Sequence, residues 1–149
     1  MVDLAPPGRA AIRIVTAATG SVGIWPTDLV PPVVVITAWN PDSVRLAGYL
    51  NDARSLDLET ELDARGFTRC PATGRDVGDH HCEDGFAVSG MSEEEARDLG
   101  RRYGQAAIYM WTPEAWQVVS CTSDRRHITG WRVEPAMWPP DEAEADHRL

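Results

Sequence analysis

Residues Val33, Val34, Val35 and Ile36 are apolar and β-branched at every position. A half-buried strand alternates apolar and polar residues, whereas a strand with no polar position needs cover on both faces. This run therefore predicts a central strand with a layer on either side, and the rest of the chain must supply both layers. It turns polar at Thr37 and stops at Asn40-Pro41, where the ring removes a donor and restricts the residue before it.

The flanking segments supply the other elements. Residues 11–16 alternate and predict a strand. Residues 19–21 read as a turn, after which 22–25 return as a hairpin partner. A helix is expected from about Ala47 or Asn51 to Arg65, with Leu50, Ala53, Leu58 and Leu62 as its apolar stripe and Gly66 just past its end. Short strands follow at 67–72 and 86–89, with a loop at 73–83 between them. Ser92 and Glu95 form a capping box, and Ala96, Leu99 and Tyr103 face the core of a second helix that Gly104 ends. Residues 106–111 and 116–121 flank a hairpin turn, and 131–134 form a last edge strand. From Val33 the order is β-α-β-β-α-β. That is the split order of the ferredoxin-like α+β class, with a mainly antiparallel sheet, an N-terminal hairpin and one or two extra C-terminal strands.

At 149 residues the chain is expected to form one domain over 11–138, after a flexible N-terminus at 1–10 and before an acidic flexible tail at 139–149. Its net charge is −9 and it contains no lysine, which argues against nucleic acid as a partner, since phosphate binding needs cations to displace counterions. No apolar run reaches membrane-spanning length. The first residues show no basic stretch followed by an apolar one, and three cysteines cannot all pair. Together these predict a cytoplasmic protein with reduced thiols. The six tryptophans are scattered in sequence and read as core packing.

Five polar residues stand where these elements end: Asn40, Asn51, Arg54, Glu83 and Gln105. In the expected sheet they converge on one edge. A guanidinium forks onto carboxylate or phosphate while amides donate and accept, so such a rim can grip a small anionic ligand or a protein segment. The same residues can also serve only the fold: Asn40 capping the Asn-Pro turn, Arg54 paired with Glu83, and Gln105 satisfying carbonyls at a helix end.

The pattern resembles a bacterial family of unknown function, DUF3293. The resemblance rests on Thr37-Ala-Trp-Asn40-Pro41; on Asn51 and Arg54 with Leu58, Leu62 and Gly66; on Gly74 and Asp76; on Glu83 with Phe86 and Val88; and on Tyr103-Gly104-Gln105 with Ala107. It covers roughly residues 33–111. This chain carries Ala47 and Leu50 where relatives tend to have a polar cap and an acid, and His81 where they often have tryptophan. The resemblance implies candidate residues and no reaction.

Metal and nucleophile readings fare poorly. Asp79-His80-His81-Cys82-Glu83, with Cys70 upstream, lacks the ligand spacing that closes on one tetrahedral zinc ion, so no metal or other cofactor is expected. No local signature supports a Cys–His pair using Cys70 or Cys82 with His80 or His127. Three functional readings stand side by side. The first is a small binding or interaction module using the polar rim. The second is a small enzyme with Glu83 as acid or base and Arg54 and Asn40 orienting substrate. The third is an acidic partner of a basic protein.

Overall fold

The computed structural model describes residues 1–76 and 81–138. Eight strands appear among them: β1 (Val2–Leu4), β2 (Ile12–Ala17), β3 (Val33–Thr37), β4 (Thr68–Arg75), β5 (Cys82–Ser89), β6 (Ala107–Thr112), β7 (Ala115–Ser120) and β8 (Arg126–Pro135). Helix α1 (Gly48–Ala64) lies between β3 and β4, and α2 (Glu93–Arg102) between β5 and β6. Every neighbouring pair is antiparallel, and the order β1-β2-β8-β7-β6-β3-β5-β4 closes on itself as a barrel.

Closure overturns the ferredoxin-like α+β expectation. The elements from β3 to β6 do run β-α-β-β-α-β, but their sheet has no free edges. The seam is made by residues 2–4, expected to be loose: Val2 pairs with Ile14 on one side and with Gly74 on the other. The strand expected at 22–25 is not formed; β2 pairs along its full length with β8 instead. Pairing every edge removes the exposed donors and acceptors that an open sheet leaves at its margins. The tail expected at 139–149 lies outside the described residues.

Two cores result. Val33 and Val35 point into the barrel with Val2, Leu4, Ile14, Cys70, Ala72, Ala87, Trp111, Trp116 and Trp131. Val34 and Ile36 point outward beneath the helices, against Leu58, Leu62, Ala96, Leu99, Ile108 and Met110. The apolar run of β3 is thus covered on both faces, by the barrel interior and by a helical layer. Ser92 accepts from the Glu95 N–H at the start of α2, and the Glu95 carboxylate accepts in turn from the Ser92 N–H. No helix among the described residues is long and apolar enough to cross a membrane.

The barrel is filled unevenly. Near the start of β3, Trp25, Trp111 and Trp131 pack ring on ring, with Trp25 and Trp111 centroids 4.2 Å apart and Trp111 and Trp131 edge-to-face at 5.3 Å. Trp131 also donates from Nε1 to the Thr112 carbonyl. Toward the other end the inward residues shrink to Ala72, Gly74, Gly85 and Ala107, and space opens. An eight-stranded barrel is just wide enough for side chains to fill it or for one small ligand to replace some of them.

Candidate functional site

The small-residue end of the barrel holds a cavity of about 460 Å³. Its apolar wall includes Val35, Ala72, Tyr109 and Val118; its polar rim is Thr37, Arg75, Asp76, His81, Glu83 and Gln105. A recess of about 350 Å³ adjoins it, lined by Asn40, Ser43, Arg45 and Gly104 and sharing His81, Glu83, Gln105 and Ala107 with it. Glycine is required on this wall at position 85: a Cβ there would sit 2.2 Å from the Ile36 carbonyl oxygen, across the β3–β5 ladder.

The rim is held by a hub of two asparagines. The Asn40 N–H donates to Asn51 Oδ1, and Asn51 Nδ2 donates back to Asn40 Oδ1, both at 2.9 Å. Asn40 Oδ1 also accepts from the Leu46 N–H, and Asn40 Nδ2 donates to Glu83 Oε1, again at 2.9 Å. The sequence folds this way locally because Asn40, three residues past β3, sits in the left-handed region (φ 49°), a conformation asparagine tolerates well. The turn at Pro41–Ser43 then carries positive φ at Asp42 and Ser43 as well, and the Asp42 N–H is fixed on the Gly104 carbonyl. Left-handed non-glycine residues cost free energy and persist where their surroundings over-determine them, often at binding sites.

The five residues expected at one rim do gather, but they divide in role. Glu83 and Gln105 line both spaces, and Asn40 lines the recess. Asn51 is fully buried behind Asn40. Arg54 lines neither space: its Nε donates to the Ala38 carbonyl at 2.6 Å and its Nη2 to the Tyr103 carbonyl at 2.7 Å, with the guanidinium over the Tyr103 ring. The Arg54–Glu83 pair considered from the sequence is therefore not formed. Gln105 Nε2 donates to the Trp39 and Tyr103 carbonyls, which serves the end of α2, and its Oε1 accepts no hydrogen bond from the described residues.

Two more cavity-lining residues matter, His81 on the rim and Tyr109 on the wall. His81 Nε2 lies 3.2 Å from Glu83 Oε1, and its Nδ1 lies 3.3 Å from Arg45 Nη2. The Tyr109 ring stacks at 5.2 Å from Trp116. Burial raises the pKa of its hydroxyl, and the Glu83 and Asp76 carboxylates raise it further, so the phenol stays protonated. Sequence reading had placed Tyr109 only in a hairpin. The signal was the alternation of β6, where Ile108 and Met110 go outward and Tyr109 and Trp111 inward. Of the metal-like run, Asp79 and His80 lie outside the described residues, and Cys82 is a buried thiol. No cluster of three potential metal ligands occurs among the described residues.

Fold and site thus define a small closed β-barrel with a polar-rimmed cavity at one end. Residues 36–108 match the family model described as "Protein of unknown function (DUF3293)", and the chain belongs to that family. The matched segment runs from the end of β3 to the start of β6, so it contains the asparagine hub, Glu83 and Gln105. No curated protein and no solved structure matches the chain.

Proposed function

We propose that this chain is a small-ligand-binding barrel and that the cavity bounded by Glu83, His81, Gln105 and Tyr109 is its site. One observation carries the reading: a cavity of about 460 Å³ with an apolar wall opens at a rim whose polar groups are held in place by a buried hydrogen-bonded hub. Ligand pockets are commonly a few hundred Å³, largely apolar, with a few fixed polar groups. The anion expected at Arg54 finds its guanidinium committed to two carbonyls outside the cavity. A cytoplasmic setting is part of the proposal, supported by three buried cysteines that form no disulfide among the described residues.

The test is to fill the cavity. Val118→Trp places a large ring where Val118 now lines the wall. A fragment screen by NMR should give hits on the unmodified protein that map to Tyr109, Val118 and Ala107 and vanish in the variant, while the fold is kept. Hits that map elsewhere, or that survive in the variant, would remove the reading.

A second reading has its own observation: the His81 imidazole lies 3.2 Å from the Glu83 carboxylate on the cavity wall. That contact suits acid–base chemistry on a bound molecule, with Glu83 as the acid or base and Asn40 holding it. A substrate turned over by the unmodified protein and not by Glu83→Gln would establish it.

A further inference from the structure

The hydrogen-bonding inventory of the rim's carboxamides and of Glu83 is one-sided. Every donor on the Asn40, Asn51 and Gln105 carboxamides that the structure pairs is directed at a protein oxygen. The acceptors are in surplus. Both hydrogen bonds to the Glu83 carboxylate end on Oε1, so Oε2 accepts none from the described residues, and Gln105 Oε1 is in the same position. These oxygens belong to side chains shared by the cavity and the recess. The arginine on the cavity wall, Arg75, is engaged, and Arg45 on the recess is exposed. Arg75 donates to Asp3 at 2.8 Å, Arg45 contacts His81, and Arg54 is turned to backbone carbonyls.

The rest of the wall is apolar and aromatic. Tyr109 lies between Val35 and Val118 on the neighbouring strands, and Ala72 also lines the wall. A guest that fits both features has a flat or aliphatic body and a head that donates hydrogen bonds and carries positive charge. Accepting oxygens in a partly dehydrated site reward such a head and penalise a carboxylate, which would face Glu83 on a wall whose one arginine among the described residues, Arg75, is held on Asp3.

Resting on the reading of this cavity as a binding site, we propose that its ligand is a small organic amine, held by its ammonium group between Glu83 and Gln105 with its apolar body against Tyr109 and Val118. The raised pKa of the Tyr109 hydroxyl is consistent with this, since part of its cause is the negative potential that Glu83 and Asp76 set up inside the barrel. Glu83→Gln is an informative change because its amide oxygen can still accept from Asn40 Nδ2, so the hub is kept while the charge is removed.

The experiment uses three probes of matched body, 2-phenylethylamine, phenylacetate and 2-phenylethanol, titrated into the full chain and followed by NMR. The amine should bind about tenfold or more tighter than the carboxylate, with the alcohol between them. Glu83→Gln should erase the preference and keep the melting temperature. Ala107→Lys, at an exposed position lining both spaces, should place a competing ammonium there and reverse the preference, which guards against a Glu83 variant that folds poorly. A carboxylate preference, no measurable amine binding, or a preference that survives Glu83→Gln overturns the amine assignment. If Val118→Trp still abolishes binding of whichever probe is preferred, the cavity reading stands without it; if that variant has no effect, both fall.

Discussion

Asn51, fully buried on α1, accepts from the main chain of Asn40 and donates to its side chain, so the end of β3 and the start of α1 are joined by a two-way bridge. The bridge fixes the left-handed Asn40 and, through it, the position of Glu83. Removing it leaves buried donors and acceptors without partners, which costs about 1–3 kcal/mol per group. Asn51→Ala should therefore lower stability in urea by roughly 1–3 kcal/mol, since the Asn40 N–H loses its partner while Asn40 Oδ1 keeps the Leu46 N–H. A loss below about 1 kcal/mol would mean that water replaces the amide.

Arg54 should behave as a clamp. It joins the Ala38 carbonyl at the end of β3 to the Tyr103 carbonyl at the end of α2, and nothing else in the described structure spans that gap with a charged donor. Hydrogen bonds from charged groups contribute about 1.5–3 kcal/mol each. Arg54→Ala, which removes two such bonds, should cost roughly 3–6 kcal/mol in chemical denaturation. Arg54→Lys should recover little of it, because an ammonium is a point donor and cannot fork across two carbonyls. Full rescue by lysine would show that charge alone matters.

Local features were legible in the sequence and distant ones were not. The capping box at Ser92 and Glu95 and the role of Gln105 at a helix end depend on residues a few positions apart, and the structure has both, while β3 stops at Thr37, three residues before the Asn40-Pro41 turn expected to end it. The gathering of Asn40, Asn51, Glu83 and Gln105 was legible because strand order places element ends together. Barrel closure was not. It depends on a three-residue strand preceding Pro6-Pro7, too short to show a period, and on β2 choosing β8 more than a hundred residues away. Residues 22–25 carry a strand-like composition, but Trp25 folds its ring onto Trp111 and donates to the Leu29 carbonyl. The destination of Arg54 was illegible for another reason: carbonyl acceptors have no signature in the sequence.

The seam of the barrel can be opened at one charge. Asp3 is fully buried on β1 and accepts from Arg13 on β2 at 2.7 Å and from Arg75 on β4 at 2.8 Å, so a single carboxylate ties both neighbours of the seam strand. Breaking a buried pair by removing one partner costs about 3–5 kcal/mol, since the opposite charge is left uncompensated. Asp3→Asn keeps the shape and removes the charge. We expect a loss of that order, together with faster hydrogen exchange at the amides of β1 and its partners. Unchanged exchange would show that apolar contacts of Val2 and Leu4 alone hold the seam.

The absence of lysine gives the alkaline limb of the stability curve an unusual simplicity, because only thiols, tyrosines and the amino terminus titrate there ahead of arginine. Burial pushes the Cys70 thiol from 9.0 up to about 11, and it raises Cys121 as well. Below the unfolded value both states hold the Cys70 proton, and the stabilisation from its burial is complete. As the pH rises from 9.0 toward about 11, the unfolded chain gives up that proton first, so stability falls by up to about 1.4 kcal/mol per pH unit until the folded thiol also ionises. Tyr103 and Tyr109, both raised mainly by burial, add to the slope at its upper end. Denaturant titrations at pH values across this window should show the decline, and Cys70→Ala should flatten its lower part. An identical decline in the variant would assign the whole effect to Cys121 and the tyrosines and remove Cys70 as its source.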